Sequence, residues 1–220
     1  TNCTNYDTEK VQNFIKKKKD HQSISITIDG TKQKHDLNRI WKTSDMQNGI
    51  MPKPEEERGT YNDVVRNIPL WLSQFPNAGT KVTISSADIP YICDSVLHLY
   101  SLGIHEVNIN CVFEDVWHEG DDLRFEAQLL QLADAIIDGG YYNDYACSFY
   151  SEQIGKPMDS VLDNQNWCGA GRMLSLDAAG NFYPCTRFAQ YSLREKKAWV
   201  IGNVHDGINK NRVRPFLTLD

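Results

Sequence analysis

Two cysteines near the C-terminal end carry the strongest chemical pattern in the chain. Cys168 and Cys185 bound the stretch NWCGAGRMLSLDAAGNFYPCTRF (166–188), with the spacing C-x(11)-G-x(4)-C. Gly180 supplies a turn that lets the arms on either side pair as a hairpin, so the two thiols can meet at its open end. Four chemistries suit such a pair: a disulfide, shared ligation of a metal or cluster, a nucleophilic thiolate, or plain packing. Two thiolates make half of the usual ligand set for zinc or an iron–sulfur cluster. The companions would then come from Cys147 or from residues beyond 220. No histidine–aspartate partner stands beside either cysteine to activate a thiolate, which disfavours the nucleophile.

The other four cysteines fall at 3, 93, 111 and 147 of the 220 residues. Cys111 lies in an apolar strand pattern and Cys93 in a helical one, where small buried thiols are common. Six cysteines allow three disulfides, but a chain with 40% hydrophobic residues has enough apolar surface for a core without staples. The formal net charge of −6 excludes a broadly basic nucleic-acid surface. The sequence shows no apolar run of membrane-spanning length and no export-signal pattern at its start. The chain opens on TNCTNYDTEK and stops on RVRPFLTLD, and both ends read as cuts through a longer protein.

The elements that must position these residues alternate. Tyr6 to Lys19 reads as a helix with Val11, Phe14 and Ile15 on one face. Lys16 to Lys19 close it, where positive charge complements a helix C-terminus; a solvated helix end accounts for them better than a nucleic-acid contact. SISITI (23–28) alternates and is β-branched, hence a strand, and KQKHDLNRIW (32–41) begins a short helix. Residues 46–59 read as a surface loop. Thr60 to Phe75 is helical, kinked or split at Pro69. Lys81 to Ser85 is a strand, followed by a helix capped by Asp88, with Pro90 in its first turn, running to Leu102 and ended by Gly103. Glu106 to Phe113 is a strand. Asp121 to Asp138 is an amphipathic helix with Leu123, Ala127, Leu130 and Ile137 expected inward and Gly139-Gly140 as its stop. Strands alternating with helices predict parallel βαβ units, an α/β fold whose chemistry sits at the strands' C-terminal ends. Those ends are residues 27–30, 85–86 and 110–115. A polar linker over 151–165 then separates the domain at 1–150 from a smaller one at 166–220, which holds the cysteine hairpin and the strand-like WVIGNV.

Three stretches in order resemble the radical SAM enzymes that carry a C-terminal SPASM domain, especially those that modify ribosomally made peptides. TNCT (1–4) is similar to that family's TNGT segment at the end of its third barrel strand, with Cys3 in the glycine place. SITIDGTKQKHDLNR (25–39) is similar to its fourth-strand pattern, S-I-D-G followed by H-D and Arg, with Thr27 in the serine place. WCGAGRMLSLDAAGNFYPC (167–185) resembles the opening of a SPASM domain, and IGNV (201–204) its next strand. The resemblance covers nearly the whole chain. It implies the C-terminal half of a partial (β/α)6 barrel, strands four to six, followed by the first part of a SPASM domain.

The resemblance also implies a chemistry. A 4Fe–4S cluster on a C-x3-C-x2-C loop reduces S-adenosylmethionine, and the resulting radical abstracts hydrogen from a peptide or protein substrate. Electrons come from a flavodoxin or ferredoxin, and auxiliary 4Fe–4S clusters sit in SPASM. Carried over, Thr27 contacts the ribose or amino-acid part of S-adenosylmethionine, and Asn2 and Thr4 line the same mouth. Arg39 supports the cofactor's carboxylate or the loop around it, Asp29 points towards cofactor or substrate, and Cys168 and Cys185 ligate an auxiliary cluster. His35 and Asp36 fix the loop. The parent enzyme is expected to be cytoplasmic, with no nucleic-acid or membrane partner.

Two departures shape this expectation. No C-x3-C-x2-C occurs in the 220 residues, so this stretch alone would be inactive. Thr186, not an acidic residue, follows Cys185, which favours bond-forming maturation such as thioether or carbon–carbon crosslinks over the formylglycine-forming, sulfatase-maturing branch. Two other readings of the residues remain: a non-enzymatic α/β binding module with structural zinc at the hairpin, and a disulfide-linked extracellular domain.

Overall fold

The computed structural model describes residues 1–41, 58–154, 156–157, 169–189 and 197–218. They fall into two compact units, 1–154 and 155–220. The first is an α/β layer. In chain order its helices and strands are α1 (Glu9–Lys18), β1 (Ile26–Thr27), α2 (Lys32–Asn38), α3 (Tyr61–Val65), α4 (Ile68–Gln74), β2 (Thr80–Ile84), α5 (Ile92–Ser101), β3 (Glu106–Cys111), α6 (Asp121–Asp138) and β4 (Ala146–Cys147).

The four strands lie in sequence order, β1-β2-β3-β4, and every neighbouring pair is parallel. Thr1 extends the ladder past β1: its ammonium donates to the Ser25 carbonyl at 2.9 Å, and its own carbonyl accepts from the Thr27 N–H at 2.8 Å. Parallel crossovers are almost always of one hand. When each strand is added on the same side of the last, crossovers of one hand stack their helices on one sheet face. Burial agrees. Ile26, Ile28, Thr80, Val82, Ile84, Val107 and Ile109 are buried, the hydrophobic ones among them in one core with Ile15, Trp71, Leu99 and Leu132 from the helices. The alternate positions, Thr27, Lys81, Thr83, Glu106, Asn108 and Asn110, are half-buried or exposed. Complete burial of each large apolar side chain on the packed face contributes about 1.5–3 kcal/mol.

Local chemistry explains the element ends. Pro69 splits residues 60–75 into α3 and α4, standing in the first turn of α4 where its missing N–H costs no helix bond. Ser85, not Asp88, is the cap after β2. Asp88 sits three residues on and reaches back to the Ser85 N–H, which makes a capping box over the 3₁₀ segment Ser86–Tyr91 that leads into α5. α1 is shorter than its periodic pattern, because Tyr6 is buried in a turn before it and Lys19–His21 tighten into a 3₁₀ turn after it.

One expected face is reversed. Leu123, Ala127, Leu130 and Ile137 of α6 are exposed, and the helix instead packs through Phe125, Leu132 and Ile136. The helix is apolar on two faces, so its period alone does not choose between them.

The second unit is a four-stranded antiparallel sheet in the order β5 (Ser175–Leu176), β6 (Asn181–Tyr183), β7 (Gly202–Asn203) and β8 (Gly207–Ile208), followed by α7 (Lys210–Thr218). The expected hairpin is β5–β6. Its turn is held by Asp177, whose carboxylate accepts from the N–H groups of Ala179 and Asn181, both at 2.9 Å, and from the Tyr183 hydroxyl at 2.6 Å. The Tyr183 hydroxyl first, then these amides, hold the Asp177 carboxyl down at about 2. Gly180 has φ +83°, and a Cβ there would come within 2.8 Å of Val204 Cγ2.

Candidate functional site

The C-terminal ends of β1 and β2 converge on a buried charged network. Asp29, Lys34 and Asp88 are each no more than 3% exposed. Arg39, on the residue that ends α2, grips Asp29 through Nε and through Nη2 at 3.3 Å. Asp29 also accepts the Thr83 N–H from the end of β2 at 3.1 Å. Lys34 Nζ lies 3.9 Å from Asp29 and 3.7 Å from Asp88, and donates to the Thr83 carbonyl at 2.5 Å. Burial lowers the Lys34 pKa, with the two carboxylates opposing that shift. One cation, one guanidinium and two carboxylates thus lock two strand ends and α2 together. Breaking such a set exposes an unpaired buried charge, which is why its members act as a unit.

His35 locks the same corner and is fully buried. Its Nδ1 accepts the Asp29 N–H at 3.1 Å, and its Nε2 faces Thr60 Oγ1 at 3.0 Å. Because Nδ1 accepts, the ring proton belongs on Nε2 and is donated to Thr60 Oγ1. The Thr60 hydroxyl in turn donates to the Arg39 carbonyl at 3.1 Å. Neutral imidazole satisfies every bond of this chain, and burial pushes its pKa down to about 4. The expectation that His35 fixes the loop matches this geometry.

Gly30 explains the D-G step. Its φ is +124°, and an added Cβ would overlap the side chain of Ser95 and stand 2.8 Å from its Cα. Only glycine lets β1 pass α5 this closely. Cys3 is the one non-glycine at positive φ among the described residues, at +61°. Its side chain is 1% exposed, and burial raises its thiol to about 12.

The sequence-selected residues divide into two groups. Thr27 is half-buried on the open sheet face, Asn2 is exposed, and Thr4 is buried, its hydroxyl donating to Asn2 Oδ1 at 3.3 Å. Asp29 is turned inward: Arg39, the Thr83 N–H and Lys34 occupy its oxygens. It is therefore a bracing residue, a correction to the expectation that it points towards a ligand. Arg39 is about one-third exposed at its side chain and keeps Nη1 free of Asp29.

Sequence reading missed the open face itself. Thr27, Lys81 and Asn108 form one row across β1, β2 and β3, and Thr83 and Asn110 form the next. Parallel sheets normally have both faces covered and read as near-continuous apolar runs. Here one face is apolar and the other carries Thr27, Lys81, Thr83, Asn108 and Asn110. The signal was present as period-two polarity in KVTIS and EVNIN.

The cysteines also divide. Cys3, Cys93 and Cys147 are buried in the core of the first unit, and Cys111 is half-buried. Burial pushes the Cys147 thiol up to about 11. Cys185 is nearly buried at the end of the hairpin and carries no disulfide. Cys168 lies outside the described residues. The Gly171 N–H donates to the Pro184 carbonyl at 2.8 Å, so the chain three residues after Cys168 runs beside the residue that precedes Cys185. Among the described residues no group of three or more His, Cys, Asp or Glu side chains stands ready to hold a metal. No described helix is long and apolar enough to cross a membrane.

Comparison with protein-family models, with curated proteins and with solved structures finds no match to this chain.

Proposed function

We propose that this chain belongs to a radical SAM enzyme that modifies a ribosomally made peptide or protein. In that reading residues 1–150 are part of its barrel and 166–220 open its SPASM domain. The single observation that supports it most is the sheet: parallel strands in sequence order, with helices on one face and a polar, open opposite face. A closed or partial barrel needs parallel strands in sequence order with helices on one face, and the opposite face then becomes its interior.

In this reading Thr27 and the free edge of Arg39 meet the amino-acid and ribose parts of S-adenosylmethionine, with Asn2 beside them. A guanidinium suits the carboxylate because its fork donates at two points. Asp29, Lys34, Asp88 and His35 do not touch the cofactor. They fix the strand ends that present Thr27 and Arg39. The open face fits a polar ligand on its own chemistry, with hydroxyls, amides and an ammonium from Lys81 on adjacent strands. Bound S-adenosylmethionine and a reduced cluster supply the hydrogen-abstracting chemistry, and this part of the chain orients the reactants and limits water. Cys168 and Cys185 provide one side of an auxiliary cluster. Cytoplasmic location and a flavodoxin or ferredoxin donor belong to the same proposal.

The test uses the polypeptide of the complete reading frame that contains these residues. Purified without oxygen and charged with iron and sulfide, it is expected to turn brown and to cleave S-adenosylmethionine to 5′-deoxyadenosine and methionine. A colourless protein that takes up zinc tightly and leaves S-adenosylmethionine intact would support the structural-zinc module instead.

A further inference from the structure

The first unit has a second feature that the proposed chemistry leaves unused. A groove of about 910 Å³ opens between the end of β3, the loop after it and the first half of α6. Cys111, Trp117, Phe125, Leu123 and Leu129 give it an apolar lining. Its floor is rigid. The Trp117 indole donates to the Val112 carbonyl at 2.8 Å and packs edge-on against Phe125, with ring centroids 6.4 Å apart. The loop is pinned to the helix start by Asp121, which accepts the His118 N–H at 2.8 Å and pairs with Arg124 at 2.7 Å. The groove therefore exists before anything enters it, and its volume is that of a typical ligand site.

Its rim has one sign of charge. Glu119, Asp122 and Glu126 border the apolar lining. Glu119, Asp122 and Glu126 have no cationic partner among the described residues, because the local arginine, Arg124, is held by Asp121. Leu123, in the lining, is 66% exposed. Exposed apolar surface rimmed by uncompensated charge marks an interaction site, and the charge selects its occupant.

We propose that this groove docks an apolar segment of a peptide or protein that carries lysine or arginine. Its apolar side chains enter over Trp117, Phe125 and Leu129, and its cations pair with Glu119, Asp122 and Glu126. The inference stands on the groove and its charge and does not depend on the radical SAM reading.

The probe is a short fluorescein-labelled amphipathic peptide of leucine and lysine, and its counterpart of leucine and glutamate is the control. Fluorescence anisotropy reads binding to the 220-residue chain, and circular dichroism checks each variant's fold. Two triple variants change the net charge equally. Glu119→Lys, Asp122→Lys and Glu126→Lys alter the groove; Asp20→Lys, Asp138→Lys and Asp206→Lys alter exposed positions outside it. The leucine–lysine peptide is expected to bind the native chain saturably, more weakly as salt rises, while the leucine–glutamate peptide does not bind. The groove variant should lose affinity by roughly tenfold or more, and the distant variant should stay within roughly threefold. Equal losses in both triple variants, unchanged binding by the groove variant, equal binding of the two peptides, or no saturable binding would each overturn the proposal.

Discussion

The imidazole of His35 makes a pH-dependent claim that can be worked from its bonds. The ring is fully buried and neutral, accepting at Nδ1 and donating at Nε2. Its folded pKa of about 4 lies below the ordinary 6.5. Between those values the unfolded chain binds a proton that the folded chain refuses, so stability falls as pH falls through that window. The full effect below about pH 4 is on the order of 3 kcal/mol, from 1.36 kcal/mol for each unit of separation. From pH 7 to pH 5 the loss is about 2 kcal/mol on the same arithmetic. With a urea slope of about 2 kcal/mol per molar, the unfolding midpoint should drop by about 1 M. Asp63 and Asp177 have lowered carboxyl pKa values, so their stabilisation persists at pH 5 and is lost only at lower pH. His35→Asn keeps an acceptor for the Asp29 N–H and removes the titration. That variant should start less stable and show a much smaller midpoint difference between pH 7 and pH 5. If the wild type and His35→Asn show the same difference, or if the His35 ring of the folded protein titrates near its ordinary value by NMR, the argument fails.

Other perturbations test the same corner. Gly30→Ala must place a Cβ into Ser95 at φ +124°, and it should cost more than about 2 kcal/mol in urea unfolding. Cys3→Gly removes a buried thiol but relieves a left-handed backbone at φ +61°, so its stability should stay within about 1 kcal/mol of native, whereas the β-branched Cys3→Val should lose more than about 2 kcal/mol. Asp29→Asn leaves Lys34 and Arg39 without their shared carboxylate and should destabilise by about 3 kcal/mol. Thr27→Val, on the open face, should leave the unfolding midpoint nearly unchanged while weakening S-adenosylmethionine binding in calorimetry.

Long periodic elements were legible before the structure. The helix 121–138 has the expected bounds because acidic residues open it and a glycine pair closes it. Pro69 divides its segment as its chemistry requires, and the hairpin forms around Gly180. The failures have physical causes. SISITI reads as six strand residues, yet only Ile26–Thr27 pair with β2, because the partner begins at Thr80. β4 has two residues, too few for any period to show. Lys34 lies in a polar helix, and nothing local reveals that two carboxylates from different elements enclose it. Asp29 was selected as pointing towards cofactor or substrate, and Arg39 as supporting the cofactor's carboxylate or the loop around it. That they occupy each other depends on α2 folding back over the strand end, a tertiary fact. The inward face of α6 was misjudged because the helix carries two apolar stripes, and the packing of Phe125, Leu132 and Ile136 decides between them.

The central claim is that the open face of the parallel sheet receives S-adenosylmethionine at its C-terminal edge. An amide and side-chain NMR titration of the 220-residue chain with S-adenosylmethionine tests it most directly. The account predicts saturable shifts concentrated at Thr27, Arg39, Thr83 and Asn110, and their loss in Arg39→Ala. Shifts scattered over the outer helices, or none at all at a concentration that saturates the complete anaerobic enzyme, would contradict it.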